Sequence, residues 1–170
     1  MGPLPATLPS RFTVTCHADG ELAGSIPIGV TLHMRRGNDH FVVAGLTGAK
    51  GKLVVTRDGL LREVKASRDL FPADYAPADG SDNQFAGRMT VAVLTIPEIE
   101  AAIKAHDLYR TSTAYPEHFR ELLETGHQAL TTLNPKRVEV KIAAPDTDTG
   151  VSFNTASTPY PAAVRPLALG

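Results

Sequence analysis

The chain has 170 residues, of which 42% are hydrophobic and 21% charged, and its formal net charge is −1. This length is typical of one domain that buries a core without disulfide or metal support. The 17 basic and 18 acidic residues nearly balance, so the charge gives no reason to expect nucleic acid or an anionic membrane as partner. No apolar run approaches the ~18 residues of a membrane-spanning helix, so no membrane span is predicted.

The N-terminal residues and the single cysteine further limit the kinds of site and cellular location that we expect. Cys16 has no second cysteine, which excludes an internal disulfide and a zinc site built on several thiolates. Residues 1–10 contain three prolines and no apolar run of signal-peptide length. They predict an extended N-terminal arm, and the lack of a visible signal peptide favours a cytoplasmic protein.

The first strand is predicted over residues 11–17, RFTVTCH. Apolar and polar side chains alternate in this segment, as in a half-buried strand. The alternation predicts that Phe12, Val14 and Cys16 face the core and that His17 faces outward. The Asp-Gly pair that follows predicts a loop.

Two more strands are predicted after that loop. Residues 26–36 alternate again, and residues 40–46 form an apolar run after a Gly-Asn-Asp break. The residues predicted to face inward are Val30, Leu32 and Met34. His33 and Arg35 are predicted to face outward.

A glycine-containing link over residues 47–51, TGAKG, leads from the third strand to KLVVT, residues 52–56. Glycine loops that bind phosphate join a strand to a helix, because the helix N-terminus supplies the amide donors. Here a second strand follows the glycines, and neither phosphate-loop spacing is present. The link therefore predicts a hairpin turn and not a ligand cradle.

Three helices are predicted, roughly at residues 58–69, 96–109 and 116–133. Asp58 is the predicted N-cap of the first helix, which must end before Pro72. Thr95 and Glu98 have the spacing of a capping box at the start of the second helix. In the third helix the amphipathic spacing is carried by Phe119, Leu122, Leu123, Leu130 and Leu133.

Polar segments and two further strands complete the chain. Residues 88–95 and 136–144 alternate as strands, and residues 70–87 read as a long polar loop. Residues 144–170, rich in Pro, Thr, Ser and Ala, predict an extended or disordered tail. The predicted domain organisation is thus an arm at 1–10, a sandwich domain at 11–143 and a tail at 144–170.

The sequences GSIPIGVTLHMRR and VVAGLTGAKGKLVV carry a family resemblance. The segment that contains them, from Phe12 to Thr56, resembles the start of a transthyretin-like or carboxypeptidase-regulatory-like β-sandwich. The positions that correspond are Gly24, Pro27, Gly29, Val30, Thr47 and Gly51. One branch of this family hydrolyses a purine-breakdown product with histidines, an arginine and a C-terminal Tyr-Arg-Gly-Ser. Here Tyr-Arg-Thr-Ser stands at 109–112 between two predicted helices, so that catalytic assignment is not transferred.

Histidines and carboxylates are the candidate chemical groups. His17 and His33 could meet if their strands pair, with His40 nearby, and Arg35 completes this alternative pocket. The simpler interpretation is three exposed or edge histidines. No His-x-x-x-His spacing is present, the aspartates of residues 74–82 match no calcium loop, and Cys16 and His17 point to opposite faces. We therefore predict no metal, no cofactor and no catalytic residue.

These observations predict an α+β, mainly β fold: a small antiparallel β-sandwich of about six or seven strands with two or three added helices. The predicted function is a non-enzymatic interaction or structural module that binds a protein partner or self-associates through loop 70–87 and the C-terminal tail. The predicted contact residues in that loop are Phe71, Asp74, Tyr75 and Phe85. The alternative is a small transthyretin-like hydrolase or ligand-binding protein that uses a histidine-bearing sheet face.

Overall fold

The structure, a computed structural model, describes eight stretches of the chain, which are residues 11–34, 39–70, 85–109, 118–134, 137–142, 151–153, 158–159 and 164–169. These residues form antiparallel sheets and helices, which confirms the predicted α+β, mainly β class. The strands in chain order are β1 (Arg11–Ala18), β2 (Glu21–Leu22), β3 (Pro27–Met34), β4 (His40–Leu46), β5 (Lys52–Thr56), β6 (Phe85–Val93), β7 (Arg137–Ile142), β8 (Val151–Phe153), β9 (Thr158–Pro159) and β10 (Val164–Leu169). The helices are α1 (Arg57–Leu70), α2 (Ile96–Tyr109) and α3 (Phe119–Leu133).

The first sheet is arranged around β1. Strand β7 pairs with one side of β1, while β5 and β2 pair with successive parts of its other side. Strand β9 follows β7 at the edge. The second sheet has the order β4-β3-β6-β10-β8, so β3 and β6 lie inside it.

Segment 144–170, predicted as an extended or disordered tail, contributes strands to both sheets. Strand β10 pairs with β6 on one side and β8 on the other, and β9 pairs with β7. Its described residues are therefore extended backbone within the two sheets.

The link at residues 47–51 joins two strands, as predicted, but the hairpin is wrong. Strand β4 belongs to the second sheet and pairs with β3, whereas β5 belongs to the first sheet and pairs with β1. The link thus carries the chain from one sheet to the other. At Gly51 the backbone has φ +73°, and a Cβ there would lie 2.9 Å from the carbonyl oxygen of Cys16, which only glycine avoids.

Thr47 holds this crossing in place. Its buried hydroxyl donates to the carbonyl of Ala23 at 2.8 Å and accepts from the amide of Ile26 at 3.0 Å. Its own backbone groups bond to Ile26 and Ser25. Four hydrogen bonds from one residue therefore fasten the crossing to the segment that leads into β3.

The core lies between the sheets and follows the predicted alternation. From the first sheet the fully buried residues include Val14, Cys16, Val138 and Val140; from the second they include Ile28, Val30, Leu32 and Val91. Alternation places every second side chain of a strand on the same face, so these residues of each strand point into the space between the sheets.

The helices begin and end close to the predicted residues. Thr95 and Glu98 bond reciprocally, the Thr95 amide to the Glu98 carboxylate at 3.1 Å and the Glu98 amide to the Thr95 hydroxyl at 3.2 Å, which confirms the capping box. The predicted N-cap of α1 is wrong, because the Thr56 hydroxyl, and not Asp58, accepts the Gly59 amide.

Helix α1 packs against β4 and β5, and α2 packs against α3. Helix α3 lies close to the second sheet: a Cβ at Gly126 would come within 3.0 Å of Cβ of Pro27 and 3.1 Å of Leu46 Cδ2. Leu123 and Leu130 are buried as predicted, whereas Leu133 is half exposed at the end of the helix.

Candidate functional site

The structure separates the histidines of the predicted alternative pocket. His17 lies on the outer face of the first sheet, and His33 and His40 lie on the second. His40 stands opposite Leu32 in the β3–β4 register, so it shares the inner face with Leu32, and His33 is on the other face. These three rings do not converge. Arg35 lies outside the described residues.

Of the expected three exposed or edge histidines, His40 lies on an edge strand of the second sheet but is not exposed. Its exposed fraction is 1%, because it begins β4 on the core side. The sequence assigns no face to His40, because residues 40–46 form an apolar run without alternation, and the register of β3 with β4 decides it.

Three of the four predicted partner-binding residues lie outside the described residues. Phe71, Asp74 and Tyr75 are outside the described residues. Phe85 begins β6 and stands opposite Met34 of β3. The prediction that loop 70–87 contacts a partner therefore stays a prediction.

His33 is the centre of a hydrogen-bonded series on the outer face of the second sheet. Its Nε2 lies 2.7 Å from the hydroxyl of Thr90, and its Nδ1 lies 2.9 Å from Oδ2 of Asp39. The second carboxylate oxygen of Asp39 accepts the amide of Met34 at 2.8 Å. We call Asp39, His33 and Thr90 the relay, since they place a carboxylate, an imidazole and a hydroxyl in sequence.

Register places further side chains beside the relay. Phe41, Thr31 and Thr90 stand opposite one another on β4, β3 and β6, so they form one row across the outer face. Phe41 is 40% exposed, and a Cβ at Gly29 would lie 2.9 Å from its ring. The aromatic ring therefore leans over Gly29, on the side of the row away from His33.

A second exposed surface lies on the first sheet. In the register of β1, Thr13 stands beside Val54, Thr15 lies between Lys52 and Lys141, and His17 lies between Leu22 and Glu139. We call these eight residues the open face. The main contacts of the described helices are with the second sheet, with one another and with β5 at the edge of the first sheet, and none of these main contacts is with β1, β2 or β7.

The open face mixes apolar and charged groups. Leu22 is 52% and Val54 55% exposed, and both flank β1 on the same side. The Nζ of Lys141 lies 4.0 Å from Glu139 on the same strand. Single exposed aliphatic residues are common on protein surfaces, but two beside a pair of opposite charges provide contact area and complementary charge together.

A cavity of about 160 Å³ lies where β4, β5 and α1 meet. Its walls include Val42, Val55 and Leu60, with Arg62 and Glu63 at α1. Burial raises the pKa of Glu63 despite the opposing electrostatic effects of Arg62 and His118. Ligand pockets usually enclose ~300 Å³ or more, so this cavity is small for a metabolite.

Polar groups between α2 and α3 have a structural role. The ring of His106 stacks on Phe119, and Arg120 forms an ion pair with Asp107. The hydrogen bond from Arg120 is the main cause that lowers the pKa of the Asp107 carboxyl. These contacts join the two helices.

Among the residues that the structure describes, no group of three or more His, Cys, Asp or Glu side chains is arranged to hold a metal ion. No helix within the same stretches combines the length and apolar character needed to cross a membrane. Comparison with known proteins finds no family model, no curated protein and no solved structure that matches the chain.

Proposed function

We propose that the chain is an interaction module that self-associates through the open face. The observation that supports the proposal is a sheet face on which Leu22 and Val54 are more than half exposed and against which none of the three described helices makes its main contacts. Contact between two such faces removes these side chains from water, which is the main favourable contribution to most protein association.

Charge supports contact between two copies of this face. Oligomers of one chain mostly form by two-fold symmetry, in which residue i of one copy meets residue j of the other and the reverse. Glu139 and Lys141 are two residues apart on β7, on the same face. A two-fold axis between them places Glu139 of each copy opposite Lys141 of the other, and so forms two ion pairs.

The contact segments predicted from the sequence, 70–87 and 144–170, remain part of the proposal as additional contacts. They are not needed for the open face to associate. Variants that change the exposed side chains of the open face therefore separate the contribution of the sheet to self-association from the contribution of these two segments.

Light scattering during size-exclusion chromatography tests the proposal. We expect the wild-type mass to rise with concentration toward twice the 18.1 kDa of one chain. The variant Val54→Lys places a charge in the apolar part of the face, and we expect it to elute as a monomer. Leu108→Lys is the matched control, because Leu108 is 73% exposed on α2, away from the open face.

Two results contradict the proposal. A wild-type protein that stays at 18.1 kDa at millimolar concentration does not self-associate. If Leu108→Lys disrupts the assembly as much as Val54→Lys does, the contact is not on the open face.

A further inference from the structure

We propose that the outer face of the second sheet carries an acyl-transfer site that hydrolyses esters of apolar carboxylic acids, with Thr90 as the nucleophile. This activity goes beyond self-association and uses the opposite sheet. The relay supplies the three parts that nucleophilic catalysis by a hydroxyl needs: the nucleophile, a base within hydrogen-bond reach and a group that orients the base.

The hydrogen bonds fit the protonation pattern that this catalysis needs. A threonine hydroxyl that donates to Nε2 of His33 requires that Nδ1 carry the ring proton, and Nδ1 then donates to Asp39. This is the tautomer in which Nε2 accepts the proton of the nucleophile. The carboxylate is itself oriented, because its other oxygen accepts the amide of Met34.

The relay is hydrogen-bonded and is also accessible to solvent. The side chain of His33 is 22% exposed and that of Asp39 is 41% exposed, so solvent reaches both side chains and neither is part of the buried core. Thr90 is half-buried beside them. A substrate therefore approaches the hydroxyl from the outer side of the sheet.

The neighbouring row indicates the substrate class. Thr31 stands directly opposite Thr90, with its hydroxyl on the same face, and Phe41 follows on β4. Neighbouring strands are ~4.8 Å apart, so the ring is about 10 Å from Thr90. An acyl chain of four to six carbons attached at Thr90 crosses Thr31 and reaches the exposed ring of Phe41. The Thr31 hydroxyl is a donor for the acyl oxygen.

The reaction balances with water as the second substrate. The Thr90 oxygen bonds to the carbonyl carbon of the ester while its proton passes to Nε2 of His33. The bond from the carbonyl carbon to the alcohol oxygen then breaks, and His33 returns the proton to the leaving alcohol. Water attacks the acyl-threonine by the same proton path and releases the carboxylic acid, which restores Thr90.

Hydrolysis of p-nitrophenyl acetate, butyrate and hexanoate by the full-length protein tests the site. We expect kcat/KM to rise at least tenfold from acetate to hexanoate. Thr90→Val should lower the hexanoate value at least a hundredfold, whereas Thr90→Ser keeps the hydroxyl and should retain most of it. Mass spectrometry of the quenched reaction should show the acyl group on the peptide that contains Thr90.

Asp39 is a positioning residue, so its variant needs a different readout. In Asp39→Asn we expect a lower kcat, a nearly unchanged KM and a shifted pH profile, because the amide does not stabilise the imidazolium. His127→Gln is the control for hydrolysis by any surface imidazole, since His127 is exposed on α3 and bonds to Glu100. It should leave the rate unchanged.

The site is overturned if wild type gives no hydrolysis above the buffer rate, if folded Thr90→Val keeps the wild-type rate, or if His127→Gln lowers the rate as much as His33→Gln. Circular dichroism establishes that each variant is folded. Self-association of the same samples is measured separately by light scattering, so failure of the catalytic site leaves the proposed function of the open face unaffected.

Discussion

Replacement of Thr47 by valine tests the crossing between the two sheets. Valine has nearly the shape of threonine but removes the hydroxyl that bonds to the Ala23 carbonyl and the Ile26 amide. Both bonds are buried, and a buried backbone group without a partner costs about 1–3 kcal/mol. We therefore expect Thr47→Val to lower the free energy of unfolding by about 2–4 kcal/mol, a large share of the 5–15 kcal/mol that is typical of a domain.

Urea unfolding followed by circular dichroism measures this loss. The urea concentration at the transition midpoint should fall. The dependence of the unfolding free energy on urea should stay constant, because Thr47→Val and the wild-type protein expose the same surface when they unfold. Thr47→Ser is the matched control: it keeps both hydrogen bonds and loses one methyl group, which costs ~1 kcal/mol. The reasoning is refuted if Thr47→Val is as stable as wild type, or if serine is as damaging as valine.

Three further predictions test other parts of the structure. Gly126→Leu should destabilise the protein by about 2 kcal/mol or more, because the side chain meets Pro27 and separates α3 from the sheet; Thr125→Leu, exposed on the same helix, should change the urea midpoint little. Asn134 caps α3 with φ 40°, so Asn134→Val should cost ~1–2 kcal/mol in the same assay, whereas Asn134→Gly should be tolerated. Because the folded-state pKa of Glu63 is raised, the folded protein is favoured at low pH and loses this contribution as pH rises through that pKa. Glu63→Gln should therefore unfold at a higher urea concentration than wild type at pH 7 and at a similar one at pH 3.5.

Each of these expectations has a result that contradicts it. A Gly126→Leu protein of wild-type stability would show that α3 does not lie against Pro27. Equal stability of the valine and glycine variants of Asn134 would refute the role of its backbone conformation. A stability difference for Glu63→Gln that does not depend on pH would show that the carboxyl is not desolvated in the folded state.

The elements of the fold could be predicted because they depend on local patterns. Alternation at β1 and β3 identified the buried faces, and the spacing of Thr95 and Glu98 identified the start of α2. These signals come from residues within a few positions of one another. Such local signals do not indicate which strands share a sheet. The hairpin prediction for the link at 47–51 is wrong for this reason, because β4 and β5 belong to different sheets.

The relay could not be predicted, since Thr90 is far from the other two members in sequence. His33 and Thr90 are 57 positions apart and meet only because β3 pairs with β6. Asp39 is close to His33, but it follows a Gly-Asn pair and reads locally as a turn residue. The inward position of His40 depends in the same way on the register of β3 and β4.

The position of β1 has a consequence for the speed of folding. This strand is the first described segment of the chain, yet it lies between β5 and β7, and Cys16 pairs with Val140. Chain segments that far apart in sequence meet slowly, because a long loop must close before the contact forms. Until residues 137–142 arrive, one edge of β1 stays unpaired and its apolar side chains are accessible to other nascent chains. We infer that β1 is the segment through which an incompletely folded molecule of this protein aggregates.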